Sequence, residues 1–177
     1  RLHQLLTQLD DPDADEPLRR YLASDPDDSS IQLLLAQHMT RAGDDADSIS
    51  VYENVLSANP EDGVALNNLA WLYYTQGDDR ALATARKARD AMPANWSVLD
   101  TLGWVLVEAG ELEEGIQVLN EAEDLSEGAA VVRYHLAEGY ARSGRRDEAK
   151  TILEELLADG SAEFDGRGDA ERLLAEL

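Results

Sequence analysis

A period of about 34 residues runs through the chain and limits its fold more than any other feature. Gly43, Gly77, Gly110 and Gly144 follow one another at this nearly constant step. Pro26, Pro60 and Pro93 keep the same step, with Glu127 at the next expected place. Two markers that share a period and keep a fixed offset mark a repeated structural unit. Before each Gly, apolar residues fall three and four apart: Leu35, Ala36 and Met39; Leu69, Ala70 and Tyr73; Leu102, Gly103 and Leu106; Leu136, Ala137 and Tyr140. After it a second stripe follows, in Ile49, Tyr52 and Val55; Leu82, Ala85 and Ala88; Ile116, Leu119 and Ala122; Ala149, Leu153 and Leu156. Such stripes lie on one face of an α-helix. Each repeat therefore reads as a helical hairpin, with the Gly in the turn and the Pro in the first turn of the following helix.

One hairpin cannot bury both stripes, so the repeats must stack and share a continuous core. Small residues recur where the two helices approach, at Ala36, Ala70, Gly103 and Ala137, and in part at Ala81, Gly115 and Ala149. The pattern predicts an all-α fold, a right-handed superhelical array of antiparallel helix pairs.

In these stretches the chain resembles the tetratricopeptide repeat (TPR) family, whose pattern of W-x2-L-G-x2-Y, A-x3-F and P fills one such period. The matching residues are Leu66-x2-Leu69-Ala70-x2-Tyr73 with Ala81-x3-Ala85 and Pro93, and Leu99-x2-Leu102-Gly103-x2-Leu106 with Gly115-x3-Leu119. Arg133-x2-Leu136-Ala137-x2-Tyr140 with Ala149-x3-Leu153 continues the series, and Gln32-x2-Leu35-Ala36-x2-Met39 with Ser48-x3-Tyr52 and Pro60 precedes it in register. The expected organisation is a degenerate helical unit over 1–28, four repeats over 29–160, and a linker with a capping helix over 161–177. The first unit would comprise helices over Leu2–Leu9 and Pro17–Ser24. The cap would begin at Asp169 as N-cap, with Leu173, Leu174 and Leu177 inward.

The resemblance implies that the first helix of each pair lines a concave face that holds an extended peptide or protein segment. Carried over residue by residue, the partner-binding set is Asn67, Asn68, Trp71, Tyr74, Asp100, Thr101, Trp104, Tyr134, Glu138 and Arg142. Trp71 and Trp104 share one repeat position and would form neighbouring rungs, as large aromatic anchors for a partner. Packing between first helices is the alternative reading of the pair, and Trp96 reads as a packing staple. Asn67, Asn68 and Asp100 could bond the backbone of an extended chain, and Arg41 and Arg142 could neutralise an acidic group. The carboxylate-clamping subclass of the family uses Lys, Asn and Arg where this chain has Leu33, Trp71 and Trp104, so that activity is not carried over.

Charge narrows the partner. With 37 acidic against 15 basic side chains the formal charge is -22, which disfavours nucleic acid and anionic membrane surfaces and favours basic or neutral polar partners. Asp supplies 20 of the acids and Lys only two of the bases, a bias that resembles the acidic proteins of salt-loving organisms. The absence of Cys excludes disulfides and thiolate chemistry. No apolar run reaches the roughly 18 residues of a membrane span, so this fragment is not expected to insert directly. Because the sequence opens on Arg1, it is expected to be part of a longer polypeptide.

No residue set points to catalysis. His3, His38 and His135 have no metal-ligand spacing. Asp11, Asp13 and Asp15 open like a calcium loop, but Glu16 stands where Gly is required and Leu22 where the closing Glu is required. The chain is therefore read as a non-enzyme without metal or cofactor. The segments Leu66-Asn67-Asn68-Leu69-Ala70-Trp71, Leu99-Asp100-Thr101-Leu102-Gly103-Trp104 and Arg133-Tyr134-His135-Leu136-Ala137 are similar to TPR lipoproteins of bacterial exosortase (PEP-CTERM) and exopolysaccharide systems. That likeness implies a periplasmic or outer-membrane-associated scaffold, with a cytoplasmic address as the alternative. A structural spacer or self-association module, and a recognition module of a larger enzyme such as a glycosyltransferase, stay open beside the binding scaffold.

Overall fold

Each of the first three repeats begins its first helix where an Asx side chain offers an acceptor to unpaired N–H groups. A computed structural model describes residues 15–158, 164 and 166–177. Among them it has ten α-helices and no strand: α1 (Asp15–Leu22), α2 (Ser29–Ala42), α3 (Asp45–Ala58), α4 (Gly63–Thr75), α5 (Ala81–Ala91), α6 (Trp96–Glu108), α7 (Leu112–Leu125), α8 (Ala130–Arg142), α9 (Arg146–Ala158) and α10 (Arg167–Glu176). Asp28 caps α2 through Ser30 and Ile31 N–H, Asp62 caps α4 through Ala65 N–H, and Asn95 caps α6 through Ser97 and Val98 N–H.

The periodic prolines lie outside the helices, which corrects their expected place in the first turn. Asp28, Asp62 and Asn95 N–H donate to the carbonyls of Asp25, Asn59 and Met92. Pro26, Pro60 and Pro93 thus occupy the second position of a four-residue turn, where a fixed φ near -65° is suited. The fourth turn departs from this pattern. Glu127 has φ 55 and Gly128 φ 84, a left-handed pair that a proline could not enter. At the other end of each first helix, Gly43, Gly77, Gly110 and Gly144 all have φ between 68 and 84. The next N–H reaches back to Met39, Tyr73, Leu106 and Tyr140 carbonyls, closing the helix as a Schellman-type turn.

The chain divides into an N-terminal half, Arg1–Ala91, and a C-terminal half, Met92–Leu177. In the first, α2/α3 and α4/α5 are the hairpins, and α1 packs on α2 through Leu18, Ile31, Leu35 and Met39. The expected helix over Pro17–Ser24 is α1, two residues earlier, while the one over Leu2–Leu9 falls outside the described residues. Asp15, the third acid of the calcium-like run, pairs with buried His38 at 2.6 Å. In the second half α6/α7 and α8/α9 pair around Val107, Ile116, Leu119 and Leu136. Here α10 covers Ala137 and Leu153, with Leu173, Leu174 and Leu177 against them, which removes the end of the core from water at about 1.5 to 3 kcal/mol per fully buried large side chain. Its N-cap is Gly166, at φ 98, and Asp169 lies within the first turn, so the cap expected at Asp169 is displaced by three residues.

The four small positions of the first helices are buried. At α6/α7 both facing positions are Gly, and a Cβ on Gly103 would lie 2.6 Å from Leu119 Cγ.

Candidate protein-interaction surface

In the N-terminal half α4 carries the sequence-predicted residues. Val64 and Trp71 lie seven apart on one helical face and are 37% and 38% exposed. The Trp71 ring centroid is 5.5 Å from that of Tyr74, at 50°. The two amides point elsewhere. Asn68 Nδ2 donates to Tyr52 Oη at 3.0 Å, tying α4 to α3, and Asn67 Oδ1 is buried and accepts no hydrogen bond among the described residues. Burial raises the pKa of the Tyr52 phenol, and hydrogen bonds from Asn68 and Thr40 oppose it.

A neighbouring cluster lies outside the sequence-predicted set. Tyr73 Oη donates to Glu53 Oε1 at 2.6 Å, Arg80 Nη1 donates to the same oxygen at 2.8 Å, and the Arg80 guanidinium lies 4.0 Å from the Tyr73 ring centroid. The Tyr73 hydrogen bond, followed by that of Arg80, holds the Glu53 carboxyl below its ordinary value. Burial and then Glu53 raise Tyr73. The arrangement has a counterpart in the second half, where Arg145 lies 4.2 Å from the Tyr140 centroid. Each tyrosine precedes its turn glycine by four residues, and an arginine follows within three, a signal the repeat pattern alone leaves unused.

In the C-terminal half the predicted residues converge between α6 and α8, where Asp100, Thr101 and Trp104 are buried, Tyr134 and Glu138 are half-buried and Arg142 is exposed. Asp100 Oδ1 and His135 Nδ1 are 2.8 Å apart, both residues under 9% exposed. The His135 ring stacks on Trp104 at 4.3 Å and 25°. Trp104 is itself 8% exposed, so the two periodic tryptophans differ in kind: one is packed and the other stands out. Thr101 Oγ1 donates to the Ser97 carbonyl in its own helix. Tyr134 stands 6.3 Å from Trp104 and 6.5 Å from Phe164 by ring centroids, and a Cβ on Gly166 would meet the Tyr134 ring at 3.0 Å. Trp96, expected as a staple, is exposed at the start of α6.

The sequence assigns Arg142 to an acidic partner, yet the chain already supplies two carboxylates to it. Its Nη2 lies 2.6 Å from Glu108 Oε1, its Nε donates to Glu138 Oε1 at 2.8 Å, and its guanidinium is 5.8 Å from the Trp104 centroid. Burial works against the charged form, but the hydrogen bond and charge of Glu138 and the charge of Glu108 outweigh it and raise the Arg142 pKa. Burial, then Glu138, raises the Tyr134 phenol.

Among the described residues no three His, Asp or Glu side chains gather as metal ligands, and no helix is long and apolar enough to cross a membrane.

Comparison with known proteins gives this geometry a family. A part of the chain is 40% identical, over 76 residues, to the Photosystem I assembly protein Ycf3 of Synechococcus sp. (strain WH7803), covering 41% of this chain and 44% of that protein. The match thus spans less than half the length of that relative. Solved structures of the same fold include MamA of Desulfovibrio magneticus RS-1, at TM-score 0.76 and 19% identity over 88% of this chain and 90% of that one. TTC0263 of Thermus thermophilus aligns at TM-score 0.76 and 24% identity over 99% and 96%. YrrB, described as a TPR protein with an unusual peptide-binding site, aligns at TM-score 0.70 and 17% identity over 88% and 83%. Two family models, both described as tetratricopeptide repeat, match residues 41–95 and 106–177, and with the repeated hairpins, turn glycines and small contact positions they establish that the chain belongs to the tetratricopeptide repeat family.

Proposed function

We propose that this chain is a non-catalytic protein-interaction scaffold that holds an extended peptide or protein segment against the first helices of its hairpins. The observation that carries this reading is Trp71, a large aromatic side chain left 38% exposed on α4 in line with exposed Val64 and beside Tyr74. An indole with an apolar body and one N–H donor suits a partner side chain, and such anchors contribute about 2 kcal/mol or more each. Family membership supports the reading, as does the partial likeness to a protein named for photosystem assembly. We place the scaffold in a bacterial envelope assembly on the narrower lipoprotein resemblance, which fractionation of the source cell with an antibody to this chain tests.

The direct test is affinity capture with the chain and its Trp71→Ala variant, followed by titration of the captured protein's binding segment. The expected result is a loss of about tenfold or more in affinity with the helical signal unchanged. Equal capture by both would overturn the reading, and a change in oligomeric state as the sole effect would favour the self-association module.

A further inference from the structure

We infer that Glu108, Glu138, Trp104 and Tyr134 form a receptor for an arginine or lysine side chain of the bound partner, and that Arg142 is an internal competitor for it. The inference rests on the scaffold reading above and names the chemistry of a partner at one place in it. Arg142 defines that chemistry by occupying it: carboxylates from two helices at 2.6 and 2.8 Å, and an indole ring at 5.8 Å. This is what a guanidinium or ammonium seeks, charge-assisted acceptors beside an aromatic face. Both carboxylates engage Arg142 through Oε1, and each keeps a second acceptor oxygen. The balance at the site is two negative charges against one positive, within a chain of net charge -22. The Arg142 side chain is 39% exposed, and ion pairs this open are held weakly, so an incoming cation can take its place. Beneath lies the buried Asp100–His135 pair, stacked through His135 on Trp104. The Tyr134 wall is backed by Phe164 and Gly166. Arg172 of α10 also acts on Tyr134 and is paired with Asp169. An acidic partner residue has no use for Arg142 while Glu108 and Glu138 hold it.

The test uses the full chain with Trp71→Phe and Trp96→Phe, which leaves Trp104 as the emitting tryptophan. The probe is a Gly/Ser peptide with one central Arg, compared with the same peptide carrying Gln. Arg142→Gln is expected to tighten the Arg peptide about fivefold and to change Trp104 emission on binding. Arg145→Gln removes the same charge beside Glu148 and is expected to leave affinity within about twofold, as a screened surface effect. Adding Glu108→Gln to Arg142→Gln is expected to abolish the gain. Equal effects of the two arginine variants, a gain that survives Glu108→Gln, or an equal gain for the Gln peptide would overturn the receptor. If Arg142→Gln lowers the helical signal, Arg142→Lys, which keeps the charge without the fork, replaces it, with Arg145→Lys as its control and a smaller expected gain. Failure here with normal Trp71-dependent capture leaves the scaffold reading standing. Loss of Trp71-dependence with an intact Arg142 effect sinks only the scaffold reading.

Discussion

Asp100 Oδ1 and His135 Nδ1, 35 residues apart in sequence, meet at 2.8 Å between α6 and α8 in a setting closed to solvent. Removing one partner strands the other without a hydrogen bond, which costs more than the pair contributes. Asp100→Ala is therefore expected to lower unfolding stability by about 3 kcal/mol, and the double variant Asp100→Leu, His135→Phe to recover at least half of that loss. Guanidinium denaturation of the single and double variants measures both. A single-variant cost under about 1 kcal/mol would mean that water reaches the site and replaces the lost bond.

Gly103 and Gly115 set the approach of α6 to α7. A Cβ on Gly115 would lie 2.8 Å from Val107 Cγ2 and 3.0 Å from both Gly103 O and Val107 N. Two of these three contacts are backbone atoms, which cannot turn aside as a side chain does. Gly115→Ala is expected to cost about 2 kcal/mol despite its better helix propensity. Gly103→Ala meets Leu119 Cγ at 2.6 Å, Leu119 Cδ2 at 2.9 Å and the Gly115 carbonyl oxygen at 3.2 Å, and because Leu119 is fully buried it is expected to cost about 2 kcal/mol or more as well. Thermal unfolding of the two variants measures both losses, and a loss under about 0.5 kcal/mol in either would contradict the close approach of the two helices.

Glu127 holds φ 55 in the turn where the other repeats place proline. Restoring the repeat pattern should therefore harm this protein: Glu127→Pro forces φ near -65° and is expected to destabilise by about 2 kcal/mol or more. Glu127→Gly relieves the left-handed conformation and is expected to be neutral or stabilising by up to about 1 kcal/mol. Denaturant midpoints of the two variants, moving in opposite directions, would establish the turn geometry.

Much of this architecture is legible in the period itself. Gly43, Gly77, Gly110 and Gly144 mark helix ends because a left-handed residue is needed there once per repeat, and Ala36, Ala70, Gly103 and Ala137 mark contacts because bulk is excluded. The prolines sit a few residues before their expected place because Asp28, Asp62 and Asn95, a second periodic marker, start the helices. Side-chain exposure is less legible. Trp71 and Trp104 are equivalent in the repeat, yet Trp104 is covered by His135, with Tyr134 and Arg142 beside it, residues of α8 that no periodic pattern assigns to it. Arg142 meets Glu108 and Glu138 of its own chain for the same reason: a helix position says which way a side chain leaves the backbone, and no periodic pattern names the acid, one repeat earlier, that it reaches.

Glu53 gives the pH dependence that most directly probes the hairpin contact in the N-terminal half. Its carboxylate accepts from Tyr73 and Arg80, and these interactions place its folded-state pKa below the ordinary value of 4.5. A carboxyl whose folded pKa is depressed adds stability above its unfolded pKa and loses it as pH falls through the folded one. Glu53→Gln keeps an acceptor for Tyr73 but removes the charge, so the wild-type advantage is expected to be full near pH 7 and to shrink as pH falls below the ordinary carboxyl value. Tyr73→Phe, which removes the leading hydrogen bond, is expected to shrink the advantage and bring its loss closer to the ordinary carboxyl pKa. Thermal midpoints of wild type, both single variants and the double variant across that range measure the effect. A wild-type advantage unchanged at pH 3 would assign the contact to shape and the Arg80–Tyr73 stack, without a contribution from the Glu53 charge.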